Sequence, residues 1–245
     1  MAKVVSVTNH KGGVGKTTTV AAIGSALEKE GKKVLLIDLD PQANLTASLC
    51  ATAAPRYMAD SMKEGENLPI INIRGGLSLA PADYELAGVE ANKCDIETLK
   101  KLIKPVERKF DVILIDCPPS LGILTFNALV ASNFVIIPLT AEALPFGGIA
   151  KITEAIDGAR SEFGAKVELL GILFTRWEGR RLNKMVEETL RDTFGEKVFN
   201  TRIRTNISIA EAPLQREDII TYSPNSNGAK DYSELTKEII KRLCI

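Results

Sequence analysis

No run of roughly eighteen apolar residues occurs anywhere in this chain, which excludes a helix that spans a bilayer. The start lacks the charged, apolar and small-residue segments of a cleavable leader. Met1-Ala2-Lys3 passes straight into an apolar stretch, so the chain is expected to stay in the cytoplasm. Net charge is absent too: 31 Lys and Arg stand against 31 Asp and Glu. The molecule as a whole does not attract a polyanion, and any contact with nucleic acid has to come from a local patch. Cysteines are few. Cys50, Cys94, Cys117 and Cys244 show no two-residue gap of the kind that zinc and redox sites use, and buried, reduced thiols are the expectation. Internal repeats and low-complexity tracts are missing, and nothing reads as an interdomain linker.

What is present is the composition of an ordinary globular chain, 45% hydrophobic and 25% charged, with 245 residues to build a substantial core. A single domain covering 1–245 is expected. The run from Val4 to Val7 is β-branched and ends near a glycine cluster, after which Val20, Ile23, Ala26 and Leu27 recur every three or four positions. That is strand, loop and helix. Gly31 closes the helix, and Val34-Leu35-Leu36-Ile37 is a continuous apolar run of the kind buried on both faces of a parallel sheet. Further strands are predicted at 77–80, 112–115, 134–138 and 169–174, alternating with helices at 96–103, 121–131, 149–163, 183–194 and 232–243. Such alternation predicts an α/β fold, a mostly parallel twisted sheet with helices on both faces, because parallel strands need crossover connections. Residues 50–72, with turn residues and mixed charge, suggest a surface insertion.

Three segments carry chemistry. His10-Lys11-Gly12-Gly13-Val14-Gly15-Lys16-Thr17-Thr18 lies between the first strand and the first helix. Glycines let successive backbone N–H groups turn inward and cradle phosphate oxygens, and the helix N-terminus adds its dipole. In this pattern Lys16 reaches the β and γ phosphates and the Thr17 hydroxyl ligates magnesium, so Lys11 to Thr18 is the candidate triphosphate site. A chance match in such a chain is on the order of 10⁻⁵ to 10⁻⁴. The second segment, Leu36-Ile37-Asp38-Leu39-Asp40-Pro41-Gln42, sets two carboxylates two residues apart beyond a strand end, where open α/β sheets bind ligands. A carboxylate there can orient an attacking water or hold magnesium-bound waters; capping a helix or turn is the plainer use. The third, from Phe110-Asp111 through Val112-Ile113-Leu114-Ile115-Asp116 to Cys117-Pro118-Pro119-Ser120, is an apolar strand ending in an acid, with two prolines stiffening the next loop.

Where the general phosphate-loop pattern has its first glycine, this chain has His10, its only histidine, followed by a second lysine, Lys11. The run resembles the deviant Walker A motif of the ParA/MinD family. That resemblance implies an ATP-sandwiched homodimer in which Lys11 reaches the partner's phosphates. A second ammonium there neutralises charge that develops in phosphoryl transfer, and supplying it in trans makes hydrolysis depend on dimerisation. The resemblance further implies water positioning by Asp40, support of the magnesium shell by Asp38, a water-mediated magnesium contact from Asp116, and adenine contacts near Thr175-Arg176 and Pro213. It continues through Pro138-Leu139-Thr140-Ala141-Glu142, Ile209 to Pro213, Tyr222-Ser223-Pro224 and Gly228 to Tyr232, and so covers essentially the whole chain. ATP and Mg2+ are the implied cofactors, and a weak ATPase the implied enzyme.

Within that family the chain is most similar to the short ParA type, which binds DNA non-specifically as an ATP dimer and releases it when a ParB-like partner triggers hydrolysis. Its first strand begins too early to leave room for an N-terminal helix-turn-helix. DNA contacts are expected at Arg202, Arg204, Lys230, Lys241 and Arg242, since Arg176 to Arg204 holds eight basic residues against five acidic ones and each phosphate contact releases counterions. Thr205, Asn225 and Asn227 stand where relatives often carry a basic residue. Rival classes fit less well. A MinD-like membrane switch needs an amphipathic helix beyond the fold, but Tyr232, Leu235, Ile239, Ile240 and Leu243 form the face that the last core helix must bury, so no membrane partner is expected. An iron–sulfur carrier needs paired cysteines. A metabolic ligase such as dethiobiotin synthetase shares the loop without needing the later segments.

Overall fold

Continuous apolar runs become the central strands, as burial on both faces requires. In the computed structural model, which describes every residue except 51–52, 92–93 and 142–145, the strands are β1 (Lys3–Val7), β2 (Val34–Asp38), β3 (Ile71–Arg74), β4 (Leu77–Ala80), β5 (Val112–Asp116), β6 (Phe134–Thr140), β7 (Glu168–Trp177) and β8 (Val198–Arg204). Their order across one sheet is β3-β4-β2-β5-β1-β6-β7-β8. Among the described residues only β3 and β4 pair antiparallel. From β1 the chain moves first to one side, through β2 and β5, and then to the other through β6, so the switch point for ligand binding lies at the end of β1.

Pleating sends alternate residues to opposite faces. Leu36 and Leu114 share one core with Val20, Ile23 and Leu27 of the helix Lys16–Lys29 and with Leu235 and Ile239 of the helix Asn227–Leu243. Leu35, Ile37, Ile113 and Ile115 face the helices Met58–Glu64, Leu86–Ala91, Thr98–Ile103 and Ile123–Ala131. A third cluster joins β6 and β7 to the helices Phe146–Phe163 and Arg181–Phe194. The fold is thus α/β with helices on both faces. Among the described residues no helix is long and apolar enough to cross a membrane.

Three details differ from expectation. The described part of 50–72 is no surface insertion: Met58, Ala59 and Met62 are buried in the core beneath β2 and β4. A helix of seven residues offers too few apolar positions for its period to be read, and turn residues on both sides mask it. β8 has an alternating, half-exposed sequence in place of a continuous apolar run, and it was not predicted. Among the cysteines only Cys117 is buried; Cys50 and Cys94 are half-buried, and Cys244 is exposed at the end of the terminal helix. Met58→Ala should therefore cost about 2–4 kcal/mol in urea unfolding, as core truncations do. A surface position would lose under about 0.5 kcal/mol.

Candidate active site

Parallel register brings three strand ends level. Val7 pairs with Asp116, and Asp116 pairs with Asp38 on its other side, so the loop leaving β1 starts beside two carboxylates. Gly13 at φ 74° and Gly15 at φ 85° take left-handed conformations that side chains resist. Gly15 caps the helix Lys16–Lys29, whose unpaired N–H groups and positive dipole end open into the loop. A Cβ on Gly12 or Gly13 would meet nothing within 4 Å, which leaves the cradle open. Two side chains outside the glycine pattern fasten it. The Asn9 amide donates to the Pro138 carbonyl at 2.8 Å, while its Oδ1 accepts the Lys11 N–H at 3.0 Å. The Thr175 hydroxyl lies 2.9 Å from the Val14 carbonyl and 3.1 Å from that of Leu139.

Charge converges on this loop. Lys16 is 7% exposed and donates to the Lys11 carbonyl at 3.2 Å. Burial lowers its pKa, opposed by Asp116 first and by Cys117 and Asp40 less. Asp38 accepts from the Thr46 N–H at 2.8 Å, the Thr46 hydroxyl at 2.7 Å and the Asp40 N–H at 3.2 Å. Even so, burial pushes its carboxyl up to about 6. Asp40, also buried, accepts from the Gln42 N–H at 2.9 Å. Asp116 differs from both. It is fully buried, and neither carboxylate oxygen has a hydrogen-bond partner of ordinary geometry among the described residues. Burial raises its pKa, Asp38 adds to the rise, and the Thr17 hydroxyl and the Lys16 ammonium act against it.

Beside the cradle opens a cavity of about 470 Å³ bordered by Gly13, Gly15, Thr18, Thr175, Arg176 and Pro213, with Ile203 and Ile207 in its walls. The loop, Arg176 and Pro213 therefore meet around one cleft. Tyr232 also lines it, with its hydroxyl 3.1 Å from that of Thr19 on the helix behind the cradle. Arg204 stands on the same cavity's border, held to Asp231 at 2.6 Å. Arg202 pairs with Glu187 at 2.6 Å and stacks over Trp177, and Arg242 pairs with Glu238 at 2.8 Å and stacks over Phe199. Lys230 and Lys241 are exposed, and their spacing of about three turns puts them on one face of the terminal helix. Glu142 lies outside the described residues. Asn9 and Thr46 were not picked out from the sequence, which places Thr175 only near the adenine and Tyr232 only in the core. Asn9 adjoins the glycine run and could have been; Thr46 carries no local signal.

A glycine cradle that opens a helix after a parallel strand, with acids ending β2 and β5, defines a P-loop nucleotide-binding fold. A family described as an AAA domain matches residues 2–169. The sporulation initiation inhibitor protein Soj of Bacillus subtilis is 36% identical over 249 residues, 98% of each chain. The chromosome-partitioning ATPase Soj of Thermus thermophilus is 38% identical over 242 residues, 98% of this chain and 96% of that one. Among solved structures, cobyrinic acid a,c-diamide synthase from Mycobacterium smegmatis, with bound ADP and magnesium, matches with a TM-score of 0.85 at 32% identity, covering 100% of this chain and 96% of the other. This chain belongs to the ParA/Soj family of P-loop ATPases.

A buried carboxylate offset only by the nearby Thr17 hydroxyl and Lys16 ammonium destabilises the fold. Asp116→Asn should raise its stability by about 1–3 kcal/mol at neutral pH, read as a higher urea midpoint at unchanged slope. A lower midpoint would mean that the charge is already compensated.

Proposed function

We propose that this chain is a DNA-partitioning ATPase: it binds ATP with magnesium, closes into a homodimer, grips DNA without sequence preference, and hydrolyses ATP slowly until a ParB-like protein accelerates the step. The observation that carries this reading is the fully buried Asp116 carboxylate, with only the Thr17 hydroxyl and Lys16 ammonium acting on it, at the foot of a glycine cradle with a second lysine. Two buried oxygens with no donor at hydrogen-bond geometry, and the Thr17 hydroxyl beside them, fit a hydrated divalent cation. Thr17 and Asp116 would hold magnesium, which when bound neutralises charge on the β and γ oxygens.

The chain's own groups do the rest. The N–H groups of Gly12 to Thr18 and the Lys16 ammonium hold the phosphates, and the base takes the cleft between Arg176 and Pro213. Asp40, turned by its Gln42 contact, positions the attacking water. Asp38 acts at one remove, holding the Asp40 N–H and Thr46 and so supporting the magnesium shell. Lys11, exposed in the loop, completes the second subunit's site. One sheet running through β1 to β8 supports reading 1–245 as a single domain.

For DNA the strongest support is the face bearing Lys230 and Lys241, because Arg202, Arg204 and Arg242 already serve internal ion pairs. A dimer doubles that face, so weak contacts become a usable grip. A membrane-switch reading loses support from the terminal helix, whose Tyr232, Leu235, Ile239 and Leu243 are spent in the core.

Lys11→Ala should keep ATP affinity within about threefold yet lose ATP-dependent dimerisation in sedimentation velocity, whereas Asp40→Ala should accumulate the ATP-bound dimer. A Lys11→Ala protein that dimerises like the parent would falsify supply of the lysine in trans. Reversing charge at Lys230 and Lys241 together should weaken ATP-dependent DNA binding at least about tenfold at fixed salt and flatten its salt dependence, with nucleotide affinity unchanged. Equal DNA binding would remove the terminal helix from the interface.

A further inference from the structure

His10 occupies the first position of the phosphate loop, and nothing so far gives it work. Its Nδ1 is shut off from solvent and has no hydrogen-bond partner among the described residues. Among the described residues the ring is held at that atom by contact alone. The contact is with Gly148, in the first turn of the helix Phe146–Phe163: a Cβ at 148 would lie 2.7 Å from His10 Cε1 and 3.1 Å from Nδ1. Carbon atoms pack at about 3.5–4.0 Å, so no side chain fits there while the ring stays. Glycine at 148 is what lets helix and ring approach.

The two sides of this contact differ in stiffness. Ile149, Ile152 and Ile156 anchor the helix in the core beneath β6 and β7, so the His10 side of the contact is the one that yields. Lys11 follows His10 directly, and its backbone is tied on both sides: its N–H donates to Asn9 Oδ1, and its carbonyl accepts from Lys16. A shift of His10 is therefore passed to the Lys11 backbone, with Lys16 attached to it.

We infer that the packing of His10 on Gly148 sets where Lys11 stands, which makes His10 a positioning residue for closure of the dimer. The functional half of this inference rests on the reading that Lys11 acts in trans. The geometric half does not.

Gly148→Ala adds one methyl group at a helical position where alanine is favoured, and circular dichroism checks that the fold is retained. In an ¹⁵N spectrum the Lys11 amide resonance should move, and ATP-dependent dimerisation should fall at least about tenfold while affinity for a non-hydrolysable ATP analogue stays within about threefold. In a His10→Ala background the same methyl has no ring to meet, so Gly148→Ala should there cost under about twofold in either readout. A Lys11 amide that does not move on Gly148→Ala overturns the inference, as does an equal loss with and without the ring. So does a moved amide with dimerisation intact, when Lys11→Ala abolishes it. Should Lys11→Ala itself dimerise normally, the trans reading falls, and the amide resonance alone decides whether His10 places the lysine.

Discussion

One buried ammonium stands among three buried carboxylates, and the rest of the structure is arranged around that imbalance. Lys16 is drawn toward Asp116 and Asp40, yet burial still lowers its pKa. Asp38 and Asp116 are register partners on neighbouring strands, and the charge of Asp38 adds to the burial that disfavours the charge of Asp116. A fold optimised only for stability would have no reason to place acids at both register positions. The site is thus held at a cost, and a ligand that brings positive charge to Asp116 relieves it. Binding of that kind stabilises the folded state by mass action, so occupancy and stability rise together.

Parallel strands make such a cluster possible because their carboxyl ends all emerge at one edge of the sheet. The three acids do not share the strain equally. Asp38 is satisfied by Thr46 and the Asp40 N–H, and Asp40 by the Gln42 N–H, so both are fixed in direction before any ligand arrives. Asp116 alone has neither oxygen fixed by a hydrogen bond of ordinary geometry among the described residues, with only the Thr17 hydroxyl and Lys16 ammonium nearby. Carboxylates fixed in direction around one reactive acid are what phosphoryl transfer asks of a protein, since positioning and electrostatics do most of its work.

The sequence revealed those parts whose chemistry leaves a local trace. Phosphate binding imposes glycines and a lysine at fixed spacing, and burial on both faces makes the sheet's central strands largely apolar, with β2 and β5 unbroken up to their terminal acids, so the cradle and the sheet centre could be read directly. β3 and β8 sit at the sheet edges, are half-exposed, and carry no such run. Ion pairing left the weakest trace of all. An excess of basic residues between Arg176 and Arg204 is visible by counting, but a count does not show that buried Glu187 holds both Arg191 and Arg202, or that Asp231 holds Arg204 from the terminal helix. Only the packing of that helix and of Arg181–Phe194 against β8 brings these partners together.

The terminal helix joins the two halves of the proposed cycle. Lys230 points outward, while the next two residues turn inward: Asp231 holds Arg204 at the border of the cleft, and Tyr232 touches Thr19 behind the cradle. Such proximity invites the idea that nucleotide reshapes the outer face. The packing argues against it. Leu235, Ile239 and Leu243 are buried in the main core, which is close-packed and resists gradual deformation, so this helix has little freedom to rearrange its lysines one by one. Control of a DNA grip by ATP is then better served by bringing two fixed faces together than by altering one, because pairing raises the grip through effective concentration without moving the helix.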